Sequence, residues 1–310
     1  MQGKPKQIVQ KCLSYVVRAF GILTRVLPLP VSRVIAVTIG RLAYHLIPRI
    51  KKVGFANLDL AFGDAVPQEH KRRIVKGVVR NLAIVAAEFA HMPRLAKRQY
   101  KGYVTIKGME HCDFTKGFLA IGGHLGNWEW MASVLSSHGY KTAEIVRPFD
   151  DPVLNDAIDR TRQAAQIRTI PKDEAGADVI RLLKEGWIVG VLIDQSPRHN
   201  AVPVTFFGES CWATIAPVMV AVRAKVPIHP VSMFRDAKGK YTLQFYPALE
   251  INRSGNLRQD IVTNTQQCQD FFENLVRVHP DQWLWLHRRW KHRERLQREW
   301  EHRVLRDGQR

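Results

Sequence analysis

The sequence predicts an α/β protein with a mostly parallel central sheet, helices on both faces and an antiparallel edge, preceded by an N-terminal helical region. Three observations predict it. Up to about residue 100 the apolar positions recur at helical spacing only, and from Val104 short apolar runs alternate with amphipathic stretches. The last two strand-like runs, 228–234 and 241–246, flank Asp236-Ala237-Lys238-Gly239, a turn signal that folds them into a hairpin.

The chain has 310 residues, 45% of them hydrophobic, which is enough for a sizeable core. Its formal net charge of +19 calls for a polyanionic partner: nucleic acid, an anionic membrane surface, or an acidic carrier or substrate. Cys12, Cys112, Cys211 and Cys268 are far apart, with no C-x-x-C pair, so neither zinc nor a disulfide framework is expected and a reducing compartment is. The organisation reads as basic amphipathic helices over 1–100, an α/β unit over 101–291 and a basic tail over 292–310.

No acidic residue occurs before Asp59, while Lys4, Lys11, Arg18 and Arg25 recur every seven residues. On a helix that repeat drifts by roughly 20° per step, so the four line one face with Ile8, Val9, Leu13, Val16, Phe20 and Leu23 around them. This is the pattern of a membrane-surface helix, or of helices packed on the domain with a solvated basic face. A second helix over 31–47 continues it. No charge-free apolar run approaches the 18 or so residues of a span, so attachment is expected to be interfacial, with a single tilted span as the lesser reading. No secretory signal is recognised. Further helices are expected at 57–62 and 67–92, the latter with a core-facing stripe of Val75, Val78, Val79, Leu82, Val85 and Phe89, ended by Pro93.

Strands are expected at 103–106, 118–121, 142–146, 187–193, 202–206, 228–234 and 241–246. Helices are expected at 131–137, 153–166, 175–184, 215–224 and 261–278. After the strand at 118–121, Gly122 and Gly123 let the chain turn, so His124 leaves the strand's C-terminal end. Asn127 is a good N-cap for a helix starting at Trp128, which places Glu129 in a first helical turn beside the loop that holds His124. The dipole alone also favours an acid there.

Ligands of open α/β sheets bind at the C-terminal ends of the strands. His124, Arg147 and Asp194 each follow a different strand and so share one rim, as does the segment Phe207-Gly208-Glu209. A surface ion pair for Arg147 and a turn-forming role for Asp194 are the plainer alternatives. H-E-x-x-H, G-x-S-x-G, G-x-G-x-x-G and the P-loop are absent, so no metal and no cofactor is expected. What remains is a histidine poised as a general base with carboxylates near it.

His124-Leu125-Gly126-Asn127-Trp128-Glu129 resembles the H-x-G-x-W-E signature of the lipid A biosynthesis branch of the glycerolipid acyltransferase superfamily. Further blocks agree in order: Arg147-Pro148-Phe149, Asp159-Arg160-Thr161-Arg162, Val191-Leu192-Ile193-Asp194-Gln195, Val204-Thr205-Phe206-Phe207-Gly208, and Gln282-Trp283-Leu284-Trp285-Leu286-His287-Arg288-Arg289-Trp290-Lys291. The resemblance implies an enzyme at the cytoplasmic face of the inner membrane. It would move a fatty acyl chain from an acyl carrier protein thioester, or acyl coenzyme A, to a hydroxyl of an anionic lipid A precursor. The arginine-rich stretch 294–310 has no counterpart in that pattern.

In such a reaction His124 would deprotonate the acceptor hydroxyl, with Glu129 or Asp194 fixing its tautomer and Arg147 and glycine-loop amides serving the oxyanion. Substrate contacts are expected from Gly123, Asn127, Trp128, Gln195, Phe207 and Gly208. Phosphate contacts are expected from Arg160, Arg162, Arg198, Arg288 and Arg289. The alternatives are another acceptor (a lysophospholipid, an aminolipid or a glycosylated phosphoinositide) and, more distantly, a nucleic-acid-binding protein, for which no RRM, KH or zinc-finger pattern is present.

Overall fold

The structure, a computed structural model, describes residues 19, 21–173, 175–291 and 293–307. The basic repeat positions Lys4, Lys11 and Arg18 lie outside the described residues.

The helical region comprises α1 (Leu29–Leu46), α2 (Pro48–Phe62) and α3 (Gln68–Ala96). Leu29, Ser32, Ala36, Gly40 and Tyr44 recur every three or four residues and bury one face of α1 against α3. Gly40 permits the close crossing, since a Cβ there would stand 3.0 Å from that of Ala83. The opposite face of α1 is also apolar and open, with Val34 66% and Leu46 75% exposed beside Val31 and Leu42. Among the described residues no helix is long and apolar enough to cross a membrane. Pro93 does not end α3, contrary to expectation: the helix runs on to Ala96 with Pro93 buried in its last turn, where one missing backbone donor is offset by packing.

The α/β unit runs β1 (Val104–Lys107), β2 (Phe118–Gly122), α4 (Trp128–Ser137), β3 (Thr142–Val146), α5 (Pro152–Ala164), β4 (Arg168–Pro171), α6 (Ala175–Lys184), β5 (Ile188–Leu192), β6 (Ala201–Phe206), β7 (Glu209–Thr214), α7 (Ala216–Ala224), β8 (Ile228–Arg235), β9 (Tyr241–Phe245) and α8 (Leu257–Val278). Seven strands form one sheet in the order β1-β9-β8-β2-β5-β3-β4. The run from β8 to β4 is parallel, β9 is antiparallel to β8, and β1 pairs parallel to β9, so the antiparallel edge is two strands deep. Side chains alternate between two cores. Leu119 and Val189 face α6, α7 and α8, while Phe118 and Ile188 face the packing of Trp130, Met92 and Tyr241 on the other side.

The strand at β6 was expected on the common rim. Instead it pairs with β7, which the sequence reading missed, in a separate hairpin packed under α8. Phe207 and Gly208 are its two turn residues, both at positive φ (56° and 75°), as a hairpin with a two-residue primed turn demands. Short β4 was also missed. The C-terminal stretch forms α9 (Arg293–Asp307), whose Leu296 is buried with Ala201 and Trp212 of the hairpin.

Candidate active site

Strands β2 and β5 are parallel neighbours with Gly122 opposite Leu192, so His124 and Asp194, each two residues further on, emerge side by side. Oδ1 of Asp194 lies 2.9 Å from Nδ1 of His124. Its Oδ2 accepts from the His124 backbone N–H at 2.9 Å and from the Trp283 indole N–H at 2.8 Å. The carboxylate is 2% exposed and fully hydrogen-bonded. Burial alone would raise its pKa, but the His124 charge and these donors outweigh burial and push it down to about 2. Burial likewise works against a charged His124, yet the Asp194 charge and hydrogen bond leave its pKa above the ordinary value. An ionised Asp194 at Nδ1 fixes the proton there and leaves Nε2 to accept. On that side stand the Gln195 side-chain amide, 3.3 Å from Nε2, and the Trp128 ring, 5.1 Å from the imidazole centroid.

The loop is held from several sides. Gly123 has no room for a side chain, since a Cβ would stand 2.1 Å from Phe272 and 3.0 Å from the Asp194 carboxyl carbon. Asn127, wholly buried, caps α4 through Oδ1 to the Trp130 N–H (3.2 Å). The 282–287 segment zips alongside, with Gly126 N–H to Gln282 O at 3.0 Å and Leu284 N–H to His124 O at 3.0 Å. His287 Nε2 accepts from the Ser196 N–H at 3.2 Å and so steadies the turn after Asp194. Burial takes the His287 pKa down to about 4, which keeps that nitrogen an acceptor.

Glu129 does not bond to His124. Its carboxylate is clasped by Arg162, with Nη2 3.0 Å from both oxygens, and takes the Trp128 indole N–H at 3.1 Å. Arg162, 8% exposed, also stands 3.9 Å from Glu144. The arginine expected to meet phosphate is therefore committed to two carboxylates inside the protein. Arg289 is likewise a core residue, 0% exposed, donating to Trp212 O (2.5 Å) and Gln269 Oε1 (2.9 Å) and lying over Phe206. Phe207 is buried against Phe62 and Trp285 and Gly208 completes the hairpin turn; neither contacts His124.

The remaining arginines are exposed. Arg147 pairs with Asp150 (3.1 Å) and Arg160 with Asp156 (2.9 Å). Arg198 and Arg288 are exposed next to the site, and Ser196 Oγ donates to Lys291 O at 3.1 Å. Burial and the charges of Arg198, Arg288 and Arg147 depress the Lys291 pKa, so these four cations crowd one rim. Trp283 and His287, which position Asp194 and the turn after it, were quoted as sequence but given no role. Their signal was two polar-edged rings close together in the segment 282–291.

The arrangement can remove a proton from a hydroxyl at His124 Nε2, beside a cationic rim, without a protein nucleophile. Residues 3–292 match the family described as "Bacterial lipid A biosynthesis acyltransferase". The chain is 25% identical over 283 residues to the "Lipid A biosynthesis lauroyltransferase" of Escherichia coli, covering 86% of this chain and 87% of that one. It is 25% identical over 194 residues to the "Phosphatidylinositol mannoside acyltransferase" of Mycobacterium tuberculosis, covering 60% of this chain and 59% of that one. The solved 1-acyl-sn-glycerophosphate acyltransferase PlsC from Thermotoga maritima superposes on 78% of this chain and 98% of its own, at 13% identity and a TM-score of 0.34.

Proposed function

Because the chain belongs to the bacterial lipid A biosynthesis acyltransferase family, we infer that this acyltransferase moves a fatty acyl chain from an acyl carrier protein thioester to a hydroxyl of an anionic lipid A precursor. The observation that carries the mechanism is the His124–Asp194 pair, which fixes the Nδ1 proton and leaves Nε2 as the acceptor, met among the described residues only by the Gln195 amide at 3.3 Å. In the proposed step His124 Nε2 takes the acceptor proton as the hydroxyl oxygen bonds to the thioester carbonyl carbon. Collapse of the tetrahedral intermediate breaks the carbon–sulfur bond, and His124 returns its proton to the departing sulfur, which leaves as the thiol and restores the neutral imidazole. The acceptor is itself the nucleophile, so no acyl-enzyme forms. The Gln195 amide and Arg147 are the donors proposed for the developing oxyanion. Arg198, Arg288 and Lys291 would receive phosphate or the acidic carrier.

The proposed location is the cytoplasmic face of the inner membrane. It is supported by the open apolar face of α1, flanked by the exposed cations Arg41, Arg49 and Lys52. The relative from Mycobacterium tuberculosis favours a second reading, in which the acceptor is a glycosylated phosphoinositide. Purified protein should be incubated with labelled acyl carrier protein thioester, or acyl coenzyme A, and either acceptor. Label in a lipid A precursor, reduced by at least about 10²-fold in His124→Ala, supports the first reading. Label only in the phosphoinositide supports the second. Transfer undiminished in His124→Ala would reject the mechanism.

A further inference from the structure

The carboxylate of Glu88, on α3, is 0% exposed and draws donors from three separate parts of the chain. Arg33 of α1 approaches Oε1 with Nη2 at 2.5 Å and Nε at 2.7 Å. Asn127 Nδ2 donates to Oε2 at 2.6 Å, and the Tyr241 hydroxyl of β9 donates to the same oxygen at 2.6 Å. The Trp130 indole N–H reaches the Glu88 backbone carbonyl at 3.3 Å. Burial pushes the Glu88 pKa above the ordinary carboxylate value, and the Arg33 charge and the Tyr241 hydrogen bond offset it only in part.

Asn127 is the cap of α4 and lies three residues after His124, in a loop whose amides at 124–127 are all hydrogen-bonded. A carboxylate that grips Asn127 thereby fixes where His124 stands. Its counter-ion comes from α1, the helix whose far side is the open apolar face. Elsewhere an acid among Val85, Phe89 and Met92 would be expelled from the core. Here it is retained at the one point where α1, the loop and β9 meet.

We propose that Glu88 is a positioning residue, holding Asn127 and with it the His124 loop, and that Arg33 couples the seating of α1 to the competence of the site. The inference rests on His124 being the base of the proposed acyl transfer. Arg33 of α1 holds the Glu88 carboxyl group in place, Glu88 orders Asn127, and ordered Asn127 places the imidazole. A surface that clamps α1 onto α3 therefore favours the active geometry.

The test uses Glu88→Gln, Arg33→Met and the double variant, each checked for folding by thermal melt. Each single variant breaks the Arg33–Glu88 pair from one side; the double removes both partners. The singles should lower kcat by roughly tenfold to a hundredfold, as small misplacements of a reacting group do, with KM within about twofold. They should also weaken the hydrogen-bonded Nδ1–H signal of His124 in histidine-labelled protein. The double variant should recover most of both. Should a single variant fail to fold, Tyr241→Phe removes one neutral donor from the same carboxylate and should shift kcat and the signal the same way by less. An unchanged kcat and signal in the folded variants, or a double variant no better than the worse single, overturns the proposal. Absence of acyl transfer in the wild type would defeat the proposed function, and the histidine signal would then decide this inference alone.

Discussion

Nδ1 of His124 lies 2.9 Å from Oδ1 of Asp194, a residue 70 positions further along the chain, while Glu129, five positions along, is hydrogen-bonded to Arg162 and Trp128 instead. The parallel register of β2 and β5 makes that choice: Gly122 faces Leu192, and the two side chains follow at equal distance beyond the strand ends. Glu129 instead turns to Arg162, which offers two hydrogen bonds and a full charge.

Asp194→Asn removes the charge that raises the His124 pKa while leaving the burial that lowers it. The base must be neutral, so activity rises with pH through the His124 pKa, which in the wild type lies above the ordinary 6.5. In Asp194→Asn that acid limb should move to lower pH. The rate should fall about 10²- to 10⁴-fold, because an amide no longer enforces the Nδ1–H tautomer. A pH profile of kcat/KM checks it; a limb that stays put or moves upward would contradict the pairing.

Much of the sheet and part of the site were legible in the sequence for a common reason. Apolar runs and their following polar residues are local features, so the strand-end rule gathered His124 and Asp194 without coordinates, whereas Arg147 stands exposed and paired with Asp150. The losses were non-local. Four-residue β4 is too short to show a period, and the β6–β7 turn is Phe207-Gly208 rather than the usual Asn-Gly, so its positive φ was hidden. Arg162 and Arg289 looked like surface cations because a sequence displays charge but not the carboxylates or the carbonyl and amide oxygens that a fold brings to it. Glu88 was concealed within an apolar stripe for the same reason.

Arg288 and Arg289 are neighbours in sequence with opposite surroundings, and substitution should separate them. Arg289→Met empties the donors to Trp212 O and Gln269 in a sealed core, costing about 2–4 kcal/mol of stability. Arg288→Glu, on the exposed rim, should leave the melting temperature near wild type and raise KM for a phosphorylated acceptor or acidic carrier several-fold. That increase should shrink as salt screens the rim. Melts and KM at two ionic strengths distinguish them; an exchange of the two phenotypes would refute the assignment.

Gly126 sits at φ +63°, and a Cβ there would stand 1.7 Å from Met233 O. Gly126→Ala therefore combines left-handed strain with a backbone clash, and the loop must move away from β8 to admit it. The expected outcome is a loss of roughly 2 kcal/mol or more in stability, together with loss of acyl transfer. A variant that melts like wild type would show that the loop has slack.

Glu144, Arg162 and Glu129 set a pH limit on stability. One guanidinium serves two carboxylates; burial, only partly offset by Arg162 and reinforced by the Glu129 charge, raises the Glu144 pKa to about 8. A carboxyl whose folded pKa exceeds its unfolded value of 4.5 holds its proton in the native state where the unfolded chain has released it. Stability from this group is therefore fully present below the unfolded pKa and is lost as pH rises through the window to about 8. Glu144→Gln keeps the shape and has no proton to lose, so its melting temperature should fall less than that of the wild type between pH 5 and pH 9, by on the order of 1–3 kcal/mol of relative stability. Removing the cation instead, in Arg162→Met, strips the Glu129 carboxylate of the guanidinium that clasps it, beside a Glu144 that its raised pKa keeps protonated near neutral pH, and should destabilise by about 3–5 kcal/mol. Parallel pH dependences for wild type and Glu144→Gln would show that Glu144 titrates as an ordinary carboxylate, and that the guanidinium of Arg162 is sufficient for both of its partners.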